Sequence, residues 1–191
     1  MKLTIAADIE LDTPANFVTW LDVRIADDSH GGTRTCGVAR VAIVHVGEIA
    51  DALGDLQPAL CGTKLEALCD AYFAQGWYKD DFADGAGIDL LYVESIEMDA
   101  ALQHKNIDLA MVRRLCDTIG SGCQLAVMPY RDALSAGQWG QLGFSISTPG
   151  RTNGLMHMKL GYRHAKVVDA TGSGDFQVLP MVVQHDRHLD N

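Results

Sequence analysis

The chain has 191 residues, of which 48% are hydrophobic and 21% charged, and its formal net charge is −10 at pH 7. This length predicts one domain with a sizeable core, and no apolar run approaches the roughly 20 residues that a membrane-spanning helix needs. The acidic balance argues against a nucleic-acid partner or an anionic membrane, and without a signal-peptide pattern we expect a cytoplasmic protein.

The five cysteines form no CxxC pair, and their number is odd. Cys116 lies beside an apolar helix stripe, and Cys123 opens a buried strand. We therefore expect buried, reduced thiols and no metal site.

The first part of the chain reads as three strands: Leu3 to Leu11, Phe17 to Ile25 and Cys36 to Val46. Turn residues separate them, with Thr13 to Asn16 before the second strand and Asp27 to Thr33 before the third. Runs this close in sequence pair most simply as hairpins, so an antiparallel meander is predicted.

Two helices are expected next, at Glu48 to Asp55 and at Thr63 to Gln75. Thr63 followed by Glu66 resembles a capping box, which predicts that the second helix begins there. Asp80 to Gly87 is then an acidic loop that contains glycine.

The centre of the chain reads as a buried strand, a polar turn and an amphipathic helix. Leu90 to Val93 is a continuous apolar run, which is typical of a strand buried on both faces. Asp99 to Asn106 is polar, and apolar residues from Ile107 to Ile119 recur at helical spacing. A strand that feeds a helix through a turn gathers backbone N–H groups at one point, which suits an anion such as phosphate.

The remaining predicted elements are a strand at Gln124 to Met128, a helix at Asp132 to Gln141, and strands at Phe144 to Ser147 and Leu155 to Tyr162. This order predicts a mixed sheet, antiparallel at the start and parallel where helices intervene. We expect one domain over residues 1–162 and an irregular extension over 163–191, which either packs on the domain or mediates pairing of two copies through the apolar patch Val178 to Val183.

This order of elements resembles the GNAT superfamily of acyl-CoA N-acyltransferases, an α/β fold (α+β by layer) with a mixed central sheet and helices on both faces. Two motifs carry the resemblance. Gln103 to Ala110 stands at the family's Q/R-x-x-G-x-G/A loop, and Gln138 to Phe144 is similar to its helix end Y-x-x-L-G-F.

The resemblance implies that acetyl-CoA is the acyl donor and that a small or peptidic amine is the acceptor. The acidic surface favours a cationic amine if it surrounds the acceptor site. In the family, the donor's pyrophosphate docks on the loop while its pantetheine arm pairs with a splayed central strand. The implied donor-binding residues are Ile96, Met98, Gln103, His104, Lys105, Asn106, Ile107 and Asp108.

For catalysis, the resemblance points to a base on the central strand, either Glu94 or Glu97. Strand alternation puts Glu94 on the face of Tyr92 and Ile96, and Glu97 on the opposite face, unless the bulge that the family has here alters the split. Trp139 stands where the family usually has an acidic tyrosine, so Tyr130 is the candidate general acid.

Three residues depart from the family pattern. Asn106 and Asp108 replace glycines of the loop; asparagine tolerates a left-handed backbone, and Asp108 also suits a capping role at the helix start. Trp139 reads equally well as a residue packed against the sheet. These departures favour a second hypothesis, a catalytically degenerate GNAT-fold module for binding or dimerisation.

A second signature lies near the end of the chain. Val168 to Asp175 resembles the anion-hole motif of ribokinase-like sugar kinases, in which the last aspartate is the base. Only Phe176 to Asn191 follow it here, where that family has a larger domain. A polar loop that contains glycines explains the same residues. The acyltransferase is therefore the leading hypothesis.

Overall fold

The structure is a computed structural model that describes residues 1–7, 17–28, 33–85, 87–130, 133–146 and 154–160. Its strands are β1 (Lys2–Ala7), β2 (Val18–Asp27), β3 (Arg34–Val44), β4 (Phe73–Ala74), β5 (Trp77–Tyr78), β6 (Asp89–Met98), β7 (Cys123–Pro129), β8 (Ser145–Ile146) and β9 (Leu155–Lys159). Its α-helices are α1 (Val46–Leu53), α2 (Gln57–Leu60), α3 (Glu66–Tyr72), α4 (Ile107–Thr118) and α5 (Ala133–Leu142), and 3₁₀ helices span Asp80–Phe82, Ala100–Lys105 and Ile119–Gly122.

Seven of these strands form one mixed sheet in the order β1-β2-β3-β6-β7-β9-β8. The first three strands pair antiparallel, so the predicted meander is confirmed. β6 is antiparallel to β3 and parallel to β7, because α4 returns the chain between β6 and β7. The predicted mixed α/β class is therefore confirmed.

Helices cover both faces of the sheet, as the fold class predicts. One core cluster joins the α4 residues Met111 and Leu115 and the α5 residue Trp139 to one face. A second cluster places Ile49 of α1 and Leu68 of α3 against the other face. Residues 90 to 93 of β6 divide between the two clusters and are all buried, as expected for a strand covered on both sides.

The helix predicted from Thr63 to Gln75 is wrong at both ends. α3 begins at Glu66, whose carboxylate accepts the N–H of Gly62 (3.4 Å), so the reciprocal bonds of a capping box do not form. After Tyr72 the chain turns at Gln75 and Gly76, both with positive φ, into the β4–β5 hairpin. Burial of Phe73 and Tyr78, whose rings lie 4.8 Å apart, favours the hairpin over further helix.

Some sequence predictions lie outside the described residues: the turn Thr13 to Asn16, the Val168 to Asp175 motif, the Val178 to Val183 patch and the extension 163–191. The predicted polar turn Asp99 to Asn106 is mostly helical, since Ala100–Lys105 forms a 3₁₀ helix. In the part of the chain that the structure describes, no helix has the length and apolar character needed to cross a membrane.

Candidate active site at the centre of the sheet

A β-bulge lies in the middle of β6. Arg40 of β3 is opposite Ser95, but the next residue, Val41, is opposite Val93, so Glu94 is an extra residue without a position in the ladder. Val93 and Ile96 consequently pack in the same core cluster, whereas Tyr92 packs in the other. The alternation predicted for an unbroken strand, with Tyr92 and Ile96 on one face, is corrected by the bulge.

The pairing of β6 with β7 ends just before this bulge. Its last pair is Tyr92 with Val127, although β6 continues to Met98. Beyond that pair, β3 is the strand neighbour of β6 in the described part of the chain. Ile96, in this stretch of β6, also makes an interaction besides its pairing with β3. Pro129 has no N–H to extend the ladder from β7. The two central strands therefore stop pairing at the level of Glu94.

The bulged Glu94 is held by two cations. Lys64, from the loop before α3, places its Nζ 2.7 Å from Oε1, and the Nε of Arg40 lies 3.8 Å from Oε2. The Glu94 side chain is 18% exposed, while that of Lys64 is 73% exposed. Glu94 is thus largely enclosed, and its Lys64 partner is free to swing into solvent.

A cleft of about 330 Å³ lies beside this ion pair, and Lys64 and Arg40 belong to its lining. Arg40 also binds Asp22 (2.8 Å) and lies over the ring of Trp20 at 5.1 Å. The remaining lining comes from Val18, Ala59, Thr63 and Leu65. The cleft is therefore lined by one aromatic ring, apolar side chains and two cations, and the carboxylates of Asp22 and Glu94 lie beside it, paired with those cations.

The start of α4 is separated from β6 by the six-residue 3₁₀ helix Ala100–Lys105, whose first turn follows Asp99. Asp99 caps that turn by accepting the N–H of Ala101 (3.3 Å), and its carboxylate pairs with Arg34 (2.5 Å). Asn106 has φ +52°, the left-handed conformation that was expected of asparagine here. Lys105 beside it is exposed.

Asp108 lies in the first turn of α4, where its Oδ1 accepts the N–H of Leu109 (2.9 Å). This bond satisfies one of the free N–H groups at the helix start, as the residue type allowed, while Asn106 is the N-cap residue. It also puts a negative charge at the helix N-terminus, where a pyrophosphate is expected to dock. An anion that docked here would meet the charge of Asp108, and the Leu109 N–H of the first turn is already bonded.

The other predicted donor-binding residues fall into two groups. Ile96 is buried, whereas Met98 and Ile107 pack only partly buried against the α4 side of the core and keep part of their side chains exposed. Gln103 and His104 belong to the 3₁₀ helix, and their side chains lie outside the described part.

The remaining catalytic candidates, Glu97 and Tyr130, differ in burial and in position. Glu97 is exposed and opposite Val38 in the ladder, away from the ion pairs of Glu94. Tyr130 follows β7 and packs partly buried on the α4 side. Trp139 is 3% exposed and meets Phe144 edge-on at 5.9 Å, which is the packed role considered for it.

Sequence reasoning missed Trp20, Arg40 and Lys64. They come from β2, β3 and the loop before α3, and no motif links them. Arg40 carries the one weak signal, a charge inside an otherwise apolar strand.

No protein-family model matches the chain, and no curated protein matches it. Among solved structures, it is similar to one described as the crystal structure of the KacTA–DNA complex, with a TM-score of 0.42 and 10% sequence identity. The similarity covers 83% of this chain and 93% of that one. At these values it carries no argument about function.

One sequence prediction is nevertheless corrected by this comparison. The acidic charge predicted a protein without a nucleic-acid partner, but the similar structure is a complex with DNA. Net charge averages over the whole surface and takes no account of local patches, so that prediction is withdrawn.

Proposed function

We propose that this protein is an acyl-CoA-dependent N-acyltransferase of the GNAT type, acting on a small or peptidic amine. One observation carries the proposal: the central strands stop pairing where a bulge displaces Glu94 beside a cleft. A splayed and bulged central strand is what the family uses to hold the pantetheine arm. The start of α4, where backbone N–H groups favour a phosphate, follows this strand after residues 99–106.

In this mechanism Glu94 takes a proton from the amine. An incoming ammonium replaces Lys64 beside the carboxylate, because Lys64 lies mostly in solvent. Trp20 and Arg40 shape the cleft that orients the amine. We assign to Tyr130, which follows β7 on the α4 side of the sheet, the proton that the departing thiolate takes up. Most of the acceleration then comes from positioning, together with a base that contributes about 10²–10⁴-fold.

Binding of the donor tests the proposal first. We expect millimolar acetyl-CoA to raise the melting temperature, since a ligand of the folded state stabilises it. Calorimetric titration should show weaker binding by Lys105→Glu. Binding by Asp108→Gly should be about fivefold tighter, because a like charge at contact distance costs about 1 kcal/mol in water.

The control for this measurement is Lys2→Glu, which makes the same charge change on β1, three strands away from β6. Salt screens such a distant charge, so its affinity should equal that of the wild type. Absence of both a melting shift and binding heat would rule out the acyltransferase.

The base is tested by comparing two glutamates of the same strand. With an amine panel, Glu94→Gln should lower kcat/KM by about 10²-fold or more. Glu97→Gln should have little effect, because that side chain is exposed and, among the described residues, makes no ion pair with a cation of the cleft, whereas Glu94 pairs with both Lys64 and Arg40. A loss confined to Glu97→Gln would move the base to that residue.

The alternative is a GNAT-fold binding module without catalysis. Asp108 favours it, since the carboxylate occupies the helix start that a pyrophosphate needs. That reading predicts no acyl transfer to any amine of the panel, even by Asp108→Gly.

A further inference from the structure

Lys64 already presents an amine to the carboxylate that the mechanism uses as its base. Its Nζ lies 2.7 Å from Oε1 of Glu94, and it lines the cleft assigned to the acceptor. The side chain reaches this position from the loop between α2 and α3, so no rearrangement of a helix or strand is needed to place it there. A nitrogen at this point occupies the position expected of an acceptor amine.

We propose that Lys64 is itself an acyl acceptor, so that the protein transfers one acyl group from acyl-CoA to its own Nζ. This inference rests on the proposed function and names a substrate for the same site. It requires no external amine, because the acceptor is part of the chain.

Lys64, Glu94 and acyl-CoA together account for every bond and proton of this transfer. Glu94 takes one proton from the Lys64 ammonium, and the Nζ lone pair then forms a bond to the thioester carbonyl carbon. The carbon–sulfur bond breaks, and the CoA thiolate takes up the second proton that the nitrogen loses. The products are an amide on Lys64, free CoA and one proton released to solvent. The amide carries no charge, so the ion pair with Glu94 is lost.

Two other lysines of the described residues lack this arrangement. Lys159 pairs with Asp84 at a similar distance, 2.6 Å, but on β9 and away from the bulge. Lys79 donates to the backbone carbonyls of Asp70 and Ala71 instead of to a carboxylate. Lys159 is therefore the matched comparison: a lysine–carboxylate pair without the cleft or the separating strands.

The experiment incubates the full chain with acetyl-CoA and follows intact mass, with peptide mapping of the product. We expect one added acetyl group on Lys64, formed at a rate independent of protein concentration. Lys64→Arg keeps a cation beside Glu94 but removes the nucleophile, so the modification should disappear. Glu94→Gln should slow it by about 10²-fold or more, and Lys159→Arg should behave as the wild type.

Two further measurements separate the possible failures. Acetyl phosphate acetylates lysines chemically, and Glu94→Gln should not slow that reaction; melting curves verify that each variant is folded. If acetyl-CoA binds by calorimetry but Lys64 is modified no faster than Lys159, this inference is overturned while the proposed function stands. If acetyl-CoA does not bind, both are overturned.

Discussion

At the scale of single residues, the role of Glu94 depends on one insertion in a ladder. Without the bulge, strand alternation would place Glu94 and Val93 on opposite faces of the sheet, and Glu94 would pair regularly with a residue of β3. With the bulge, Glu94 leaves the ladder and meets Lys64 and Arg40, which come from other elements. A bulge removes hydrogen bonds between the paired strands, and here it directs the Glu94 carboxylate towards the cleft lined by Lys64 and Arg40.

His157 on β9 gives a pH prediction. It packs edge-on against Phe82 at 5.0 Å and Tyr72 at 5.8 Å, and burial, assisted by nearby Lys159, lowers its pKa below the usual 6.5. Above pH 6.5 the ring is neutral in both states and has no effect on stability. Below it, the unfolded chain gains a proton that the folded chain resists, so the free energy of unfolding falls until the folded pKa is passed.

Urea denaturation of the wild type and His157→Gln at pH 7 and pH 5 measures this effect. The wild type should lose more stability than the variant over that interval, since glutamine does not titrate. Equal losses would show that the imidazole protonates as readily in the folded protein as in the unfolded chain.

At the scale of elements, the start of β6 depends on its close approach to β7. Gly87 lies so near the backbone of Gly122 and Cys123 that an added Cβ would overlap their atoms, and the Ile88 N–H bonds to the Gly122 carbonyl at 2.9 Å. The atoms that an added Cβ would meet belong to the backbone, which cannot move aside as the end of a flexible side chain can. This approach sets the register from which the two strands pair up to Tyr92 and Val127.

We therefore expect Gly87→Ala to lower the free energy of unfolding by about 1–3 kcal/mol, the usual cost of overpacking. Thermal melting measures it. Gly122→Ala, in the same contact but with open space around its added Cβ, is the control and should change stability by no more than about 0.5 kcal/mol. Equal melting temperatures for the two variants would contradict the steric argument.

At the scale of the whole molecule, packing of the two hydrophobic core clusters determines which cysteine thiols a reagent in solution can reach. Cys61 is exposed, whereas the other four cysteines are buried between the sheet and its helices or at strand ends. Burial raises the pKa of Cys69 to about 11, and those of Cys116 and Cys123 to about 12. The reactive thiolate is therefore scarce at these sites near neutral pH.

A thiol reagent such as Ellman's should modify one cysteine rapidly in the native protein at pH 8 and all five after unfolding. The Cys61→Ser variant should show no rapid phase. A second rapid thiol in the native protein would contradict the burial assigned to the four others.

The resemblance implied helices on both faces of the sheet, and periodicity in the sequence was enough to predict the meander, the buried strand β6, helix α4 and the mixed sheet. These features follow from spacing within short segments, because the pattern of apolar residues decides which side of an element is buried. The left-handed Asn106 and the role of Asp108 at the helix start were also readable, since both depend on residues next to each other in the chain.

Only the tertiary structure decided the site. Trp20, Arg40, Lys64 and Glu94 are far apart in sequence. The register of three strands and the path of one loop bring the first three to one cleft and place Glu94 beside it, paired with Lys64 and Arg40. The bulge has no signal in residue type, because it arises from how β6 accommodates β3. The hairpin after α3 was likewise set by packing of Phe73 and Tyr78, a contact that outweighs the helical pattern of the preceding residues.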